Sequence, residues 1–315
     1  MTIQIIIPVY HPDEKFNRSL EMLSKQLLAN WHLLIIDSGS DKKYLSQLAD
    51  LDDVTVKDIK PQEFNHGGTR QKGIDMNPLA DIYVFLTQDA ILADNQALGN
   101  LVSAFEDDKV GCVYGRQLPH KNASLFASIA RNYNYGEDSY VRSFTDKEKY
   151  GMKTAFISNS FAAYRRDAML QVGGFPSNTI LSEDMFVAAK MLMNGWKVAY
   201  RADARTFHSH NYTIWQEFKR YFDIGVFHAR EKWIRDVFGE AEKNGLGFVR
   251  YEVENLKKKP WLIPAMIMRD GMKFIGYRLG IIEASLPIAF KKKLSMNKKY
   301  FELEEDICGN YQRMS

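Results

Sequence analysis

The sequence predicts an α/β protein built on a doubly wound, mostly parallel sheet, with a helical appendage at its C-terminus. Apolar runs at residues 3–10, 31–37 and 82–86 are typical of the buried strands of such a sheet. Apolar residues at helical spacing separate the first two runs, which makes a strand–helix–strand unit. Polar or turn-forming residues follow each run, and open α/β sheets bind their ligands at the carboxyl ends of strands.

Composition sets broad limits. The 315 residues are 45% hydrophobic and 26% charged, with a net charge of +3, as in ordinary folded proteins, and we expect no nucleic-acid partner. Only Cys112 and Cys308 are present, far apart, so a disulfide framework is not expected and a reducing cytoplasm is the predicted compartment. Since no signal-peptide pattern and no uncharged apolar run of about 18 residues occurs, we predict no spanning helix.

The N-terminal elements follow in order. Pro8 ends the first strand, a helix is predicted over residues 14–29, and the second strand ends at Asp37. A third strand is predicted over residues 54–56, and a helix that begins after residues 65–70 leads into strand 82–86. The chain has no glycine-rich dinucleotide fingerprint and no P-loop, so a nucleotide must be bound in another way.

Three positions in this half are candidate ligand contacts. Asp37 can accept hydrogen bonds from a base or a ribose, or it can form an Asx-type turn with the serines that follow it. Arg70, after paired glycines, can meet a phosphate at a helix start; alternatively, the same residues begin a helix without a ligand. Asp89 either holds a divalent cation against a diphosphate or begins the next loop.

Together these motifs resemble the inverting GT-A glycosyltransferases of family two. Ile-Pro-Val-Tyr at residues 7–10, the Asp37 turn and Asp89 resemble the nucleotide-binding half of that family. Gly-Gly-Phe at 173–175, followed by Ser-Glu-Asp at 182–184, resembles its acceptor half and its catalytic Glu-Asp pair. The runs at 64–70 and 87–90 are similar to the rhamnosyltransferase subgroup of bacterial surface polysaccharides, and the resemblance covers roughly residues 3–230.

The resemblance implies roles for individual residues. It implies Asp184 as the catalytic base, Glu183 near the acceptor, and Asp89 with His208 as ligands of Mn²⁺ or Mg²⁺. For the donor nucleotide and its diphosphate we predict contacts with Pro8, Tyr10, Asp37, His66, Gly68, Arg70, Gln88, Asp89 and Arg220.

Two departures from the family pattern bear on mechanism. The family's Asp-x-Asp stands here as Thr87-Gln88-Asp89, so its first carboxylate is missing. The Gln-x-x-Arg-Trp motif of processive members is not reproduced, since residues 215–221 have a different spacing. This spacing argues against a processive polymerase, and the sequence leaves processivity open.

The second half carries the predicted chemistry. Asp184 lies in the first turn of a helix capped by Ser182, where the helix dipole favours the carboxylate that a base needs, although the same residues are an ordinary helix start. In extended backbone His208 and His210 share one face, and His210 is the alternative metal ligand. A polar interruption of a predicted strand at 156–165 suggests that Asn159 faces a donor or acceptor sugar.

The predicted domains are a catalytic domain at 1–245, with halves 1–90 and 91–245, and a C-terminal region at 246–315. Residues 246–300 carry 12 Lys/Arg against 4 Asp/Glu. Lysine triplets at 257–259 and 291–293 flank an apolar, methionine-rich stretch, which is typical of an amphipathic helix lying on a membrane. Packing of these helices on the catalytic body is the alternative.

The predicted function is inverting transfer of L-rhamnose from dTDP-L-rhamnose to a polyprenyl-diphosphate-linked saccharide, at the cytoplasmic face of the membrane. One alternative keeps the same fold with a UDP-hexose donor, since nothing in Asp37 separates thymine from uracil. Another is a non-catalytic glycan- or membrane-binding protein, which the missing first carboxylate suggests.

Overall fold

The computed structural model describes residues 1–41, 53–239 and 242–304. Within these residues the chain forms two compact units. The first contains residues 1–178 and 183–210, and the second contains residues 179–182 and the chain from Asn211 onward. Cys308 and the end of the predicted C-terminal region, residues 305–315, lie outside the described residues.

The first half of unit one is a parallel sheet with helical crossovers. Strands β1 (Ile3–Val9), β2 (Trp31–Asp37), β3 (Val54–Asp58) and β4 (Ile82–Leu86) lie in the order β3-β2-β1-β4. Helices α1 (Glu14–Ser24) and α2 (His66–Met76) connect them. The central strands are apolar on both faces because both faces are covered, as the residue pattern predicts.

The second half of unit one turns the sheet into a mixed one. Strand β8 (Phe161–Arg165) lies antiparallel between β4 and β6 (Val110–Leu118), and β6 pairs in parallel with β9 (Lys197–Phe207). Strands β5 (Ile91–Leu92) and β7 (Tyr140–Arg142) pair antiparallel with β9. The helices of this half are α3 (Ala97–Val102), α4 (Leu125–Asn134), α5 (Lys147–Tyr150), α6 (Arg166–Val172) and α7 (Glu183–Met193).

Two predicted boundaries were wrong. Helix α1 ends at Ser24 rather than at residue 29. The strand predicted from residue 156 begins only at Phe161, because residues 151–155 form a 3₁₀ helix and Asn159 lies in the turn before the strand. Asn159 therefore has no alternating strand face on which to point at a sugar.

Unit two is helical. Its helices are α8 (Ile214–Arg230), α9 (Lys232–Phe238), α10 (Glu242–Leu256), α11 (Ile263–Ile281) and α12 (Ile288–Leu294). Glycines allow α8 and α11 to pack backbone to backbone: a Cβ atom on Gly276 would lie 2.4 Å from the Phe218 carbonyl oxygen, and one on Gly280 would lie 2.1 Å from that of Phe222. Among the described helices none is both long and apolar enough to cross a membrane.

The division between the two compact units falls after His210. The boundary of the catalytic domain at residue 245 stays a prediction. Helix α8 groups with the C-terminal helices because it packs closely against α11, whereas the sheet ends with β9. The interval from 211 to 245 thus belongs to the helical unit.

Candidate active site

Three potential metal ligands meet beyond the ends of β4 and β9. The carboxylate of Asp89 lies 3.4 Å from Nε2 of His208 and 3.7 Å from Nδ1 of His210, and the three donor atoms lie within 4.8 Å of one another. His208 is buried, while Asp89 and His210 are partly exposed. One carboxylate and two imidazoles form a mixed oxygen and nitrogen donor set of a kind that binds divalent metal ions. Both histidines, and not His208 alone, therefore belong to the candidate site.

A chain of hydrogen bonds determines which nitrogen of His208 carries a proton. Nη1 of Arg131 lies 2.7 Å from the Gln117 side chain, and because a guanidinium only donates, the facing atom is the oxygen Oε1. The same oxygen lies 2.9 Å from Nδ1 of His208, which must then donate. In the neutral ring the lone pair of Nε2 points to the Asp89 carboxylate. Two electron-rich atoms facing each other need a cation or a second proton between them, so this geometry fits a metal ligand.

Electrostatics keep Asp89 ionised. Burial opposes the charged form, but when the imidazoles are protonated, the hydrogen bond and charge of His208 and the charge of His210 hold the pKa of Asp89 well below its usual range. The carboxylate is thus available as a ligand throughout the physiological pH range.

A buried acid pair opens helix α7. Glu183 accepts a hydrogen bond from the Asn159 side-chain amide at 2.9 Å and lies 3.1 Å from Nη1 of Arg70, with both ionic side chains 6% exposed. Burial opposes ionisation of Glu183, yet Arg70, and after it His66 and Asn159, hold its pKa below the usual value. Glu183 is therefore the ionised member of the pair.

Asp184 has the opposite electrostatics. Its carboxylate accepts hydrogen bonds from the backbone N–H groups of Asn159 at 3.1 Å and Met185 at 2.8 Å. Burial first, and the neighbouring Glu183 carboxylate second, nevertheless raise the pKa of Asp184 to about 7. A carboxyl group with this pKa can accept and release a proton near neutral pH, which is what a general base requires. Ser182, the predicted N-cap, has a φ of 58° and so lacks the extended backbone usual at that position.

The segment 158–160 links the two clusters. The Ser158 hydroxyl accepts a hydrogen bond from Nε2 of Gln117 at 2.9 Å, which connects the segment to His208. The next residue, Asn159, contacts both acids, and its Oδ1 accepts a hydrogen bond from the Tyr164 hydroxyl at 2.7 Å. The buried Asn159 amide is bonded to protein groups and holds the acid pair in position, while its contact with a sugar stays a prediction.

Several predicted donor contacts have structural roles instead. Asp37 has no exposed surface: its carboxylate accepts hydrogen bonds from the N–H groups of Gly39 and Ser40 and from the Ser40 hydroxyl. The Asx-type turn, left open as an alternative, is the arrangement found. At the start of α2, Oδ1 of Asn65 accepts from the N–H groups of Gly67 and Gly68, so these donors cap the helix rather than facing a phosphate.

Arg70 and Gln88 are likewise engaged with protein groups. The guanidinium of Arg70 is buried against Glu183 and donates to the His66 carbonyl oxygen at 2.8 Å. Its contact with a phosphate stays a prediction. The amide of Gln88 accepts from the Tyr10 N–H at 2.8 Å and donates to the Tyr10 carbonyl oxygen at 3.1 Å. Gln88 thereby joins the turn after β4 to the turn after β1.

Four other residues remain predicted contacts of the donor: Pro8, Tyr10, His66 and Arg220. Pro8 lies within β1 opposite Ile36, and the ring of Tyr10 is 53% exposed. His66 opens α2, with its ring packed edge-on against Phe64. Arg220 is exposed on α8 in unit two, and its guanidinium lies over the ring of Tyr212.

Sequence reasoning missed Gln117 and Arg131. Gln117 is a polar residue near the end of the apolar strand β6, a position at which buried side chains require partners. That signal was available in the sequence. Arg131 lies on the partly buried face of α4, and nothing in its surroundings along the chain marks it.

A mixed sheet that brings a carboxylate and two histidines together at strand ends, with a buried acid pair at the start of α7, fits the arrangement of a GT-A glycosyltransferase. The chain belongs to glycosyltransferase family 2: a family profile described as "Glycosyltransferase like family 2" matches residues 2–224. The protein is accordingly an enzyme, a glycosyltransferase, and the fold class expected from the resemblance is confirmed.

Two curated relatives align along almost their whole length. The O-antigen chain rhamnosyltransferase RfbN of Salmonella typhimurium is 47% identical over 302 residues, which is 96% of each chain. The O-antigen chain rhamnosyltransferase WbaN of Salmonella anatum is 45% identical over 299 residues, covering 94% of this chain and 95% of that protein. The resemblance to the rhamnosyltransferase subgroup is thereby confirmed.

Solved structures support the fold. The S. aureus TarS fragment 1–349 aligns with a TM-score of 0.59 at 13% identity, covering 100% of this chain and 92% of that one. The mannosyltransferase PcManGT from Pyrobaculum calidifontis, solved with GDP-Man and Mn²⁺, aligns with a TM-score of 0.56 at 18% identity, covering 95% and 81%. At these identities the likeness concerns the fold alone.

Proposed function

We propose that the protein transfers L-rhamnose from dTDP-L-rhamnose to a saccharide carried on polyprenyl diphosphate during O-antigen assembly, with inversion at the anomeric carbon. The observation that carries this proposal is the near-full-length similarity to two O-antigen chain rhamnosyltransferases. We place the enzyme at the cytoplasmic face of the membrane, where a lipid-carried acceptor would be confined.

Asp184 is the base in the proposed reaction. Its carboxylate takes the proton from the acceptor hydroxyl while that oxygen attacks the anomeric carbon. The bond between the anomeric carbon and the diphosphate oxygen breaks, and its electron pair leaves with the nucleoside diphosphate. Because the N–H groups of Asn159 and Met185 hold the carboxylate in place, its orientation is set before the acceptor arrives.

Asp89, His208 and His210 are the residues that would hold a divalent cation, and the cation would supply positive charge against the leaving diphosphate. The second histidine adds a third protein ligand where the family's first Asp-x-Asp carboxylate is missing. Gln117 keeps Nδ1 of His208 protonated and so presents Nε2 as the ligand atom.

A donor screen tests the proposal. Purified protein is incubated with a synthetic lipid-diphosphate saccharide and either dTDP-L-rhamnose or UDP-hexoses, and the masses of the products are measured by mass spectrometry. A product heavier by one deoxyhexose, from the dTDP donor only, is the expected result. Transfer only from a UDP-hexose would establish the alternative donor class, and the absence of product with every donor would overturn the proposed reaction.

A further inference from the structure

Helix α11 carries its apolar residues on the outside. Ile267, Met268, Phe274 and Ile275 are 62%, 53%, 60% and 49% exposed, and Gly271 is also exposed. At roughly 100° per residue these five positions fall within an arc of about 120°, so they form one continuous surface, named here the apolar face of α11. Ordinary surface helices bury such a stripe.

Three of the four charged residues of the same helix lie on the inner side, whereas the fourth, Arg278, is exposed and falls within the arc of the apolar face. Arg269 pairs with Glu217 of α8 at 2.8 Å, and Lys273 pairs with Asp270 at 3.0 Å, with all four side chains between 12% and 19% exposed. Glu252 of α10 is 2% exposed; its burial, followed by its hydrogen bond with Asp270, raises its pKa to about 8. The helix therefore has its polar side buried and its apolar side exposed.

Glycine contacts prevent α11 from rotating to hide this face. Gly276 and Gly280 press against the backbone of α8, and a Cβ atom on Gly225 of α8 would lie 2.3 Å from the Tyr277 carbonyl oxygen. Any other side of α11 would bring side chains into this backbone contact. The exposure of the apolar face is thus a fixed property of the helical unit.

The charge around the apolar face indicates what covers it. Lys257, Lys258 and Lys259 are exposed just before α11, and Lys293, Lys298 and Lys299 are exposed beyond its end. Trp261 is 70% exposed at the start of the helix, and Arg278 is exposed near its end. Aromatic and basic residues around an apolar stripe are typical of a helix that lies in the interface of an anionic bilayer.

We propose that the apolar face of α11 inserts into the headgroup region of a bilayer containing anionic phospholipid, with the helix lying in the plane of the membrane. The predicted lysine triplet at 291–293 contributes less than expected, because Lys291 is 7% exposed and pairs with Glu283 at 2.5 Å. This rests on the proposed function only in that binding of α11 to a membrane would give the enzyme access to a lipid-carried acceptor. Binding of the apolar face to the bilayer itself requires neither donor nor acceptor.

The test compares full-length proteins on vesicles of phosphatidylglycerol and phosphatidylethanolamine and on vesicles of phosphatidylcholine. In one variant, Ile267→Ser and Phe274→Ser are combined; in the matched control, Leu79→Ser and Leu170→Ser replace residues of unit one that are 78% and 69% exposed. We expect wild type and control to sediment with the anionic vesicles. The partition coefficient of the face variant onto these vesicles should be lower by at least roughly tenfold. Replacing Lys257, Lys258 and Lys259 with Gln should weaken binding and its dependence on salt.

A second readout does not depend on the serine variants. Vesicles should shift the Trp261 emission to shorter wavelength, measured as the difference between wild type and Trp261→Phe. Equal partitioning of face variant and control, or no Trp261 shift, overturns the proposal. It is also overturned if the wild type is a dimer by size-exclusion chromatography and the face variant a monomer, since the face then joins two copies of the chain. Transfer to a short soluble acceptor is assayed separately, so loss of vesicle binding and failure of the proposed reaction are distinguishable.

Discussion

Nδ1 of His208 lies 2.9 Å from Oε1 of Gln117, an oxygen that also accepts a hydrogen bond from Arg131. Gln117 thereby fixes the tautomer of His208, although it is not one of the three candidate metal ligands. Removal of a residue that hydrogen-bonds to a metal ligand typically lowers metal affinity by roughly 10- to 100-fold.

Gln117→Leu is therefore expected to weaken Mn²⁺ binding by roughly 10- to 100-fold, because His208 loses the acceptor that holds its Nδ1 proton. Mn²⁺ titration followed by electron paramagnetic resonance measures the affinity without any assay of activity. Gln171→Leu, at an exposed position on α6, is the matched control. Equal affinity in the two variants would show that Gln117 has only a packing role.

Chelation should abolish transfer, and added Mn²⁺ should restore it. His210→Ala should raise the Mn²⁺ concentration that gives half-maximal activity, since one of three protein ligands is lost. The measurement is the rate of product formation against free Mn²⁺ after dialysis with chelator. Full activity in excess chelator would leave Arg220 as the predicted charge partner of the diphosphate, because Arg70 is buried against Glu183.

Asp184→Asn should lower kcat by roughly 10²–10⁴ and leave donor affinity nearly unchanged, because an amide has the shape of the carboxylate but accepts no proton. Its single oxygen keeps only one of the two backbone hydrogen bonds, which the Asp184 carboxylate accepts on different oxygens. Donor binding by calorimetry and single-turnover rates separate the two effects. Asp167→Asn, an exposed carboxylate on α6, should behave as wild type. A near-normal rate for Asp184→Asn would remove this residue from the mechanism.

The rate should fall as the pH drops below about 7, since protonation of Asp184, whose pKa is raised to about 7, removes the base. Glu183→Gln should move this acid limb to lower pH: the neighbouring negative charge disappears, while the positive charge of Arg70 stays. Profiles of kcat against pH for wild type, Glu183→Gln and Asp167→Asn provide the comparison. If the acid limb of the profile lies at the same pH in Glu183→Gln as in the wild type, a group other than Asp184 determines it.

Two glycines of one helix should respond oppositely to alanine. Gly280→Ala places a methyl group 2.1 Å from the Phe222 carbonyl oxygen and should destabilise the protein by roughly 1–3 kcal/mol. Gly271→Ala meets no atom within 4 Å and should stabilise it by about 0.5–1 kcal/mol through helix propensity. Urea unfolding measures both, and equal shifts would contradict the close contact of α8 and α11.

The sequence predicted the parallel strands, because apolar periodicity is a local property, whereas the pairing of Asp89 with His208 came from the resemblance to the family. It could not predict the partners of those residues. Arg131 and His208 reach Gln117 from 14 and 91 positions away, and only the folded sheet brings them together. Asp37 shows a different limit: a carboxylate after a strand suits both a ligand and a turn, and its burial decides between them.

Strand β8 lies between β4 and β6, although it follows both in the chain. During synthesis, about 80 further residues are therefore made after β4 before its neighbour β8 is complete. This takes roughly 4–16 s at typical elongation rates. During that interval one edge of a nascent parallel sheet has no partner, and such edges template pairing with other chains. Chaperone supply and elongation rate should consequently govern the soluble yield of this protein, and chains that stop short of β8 should aggregate.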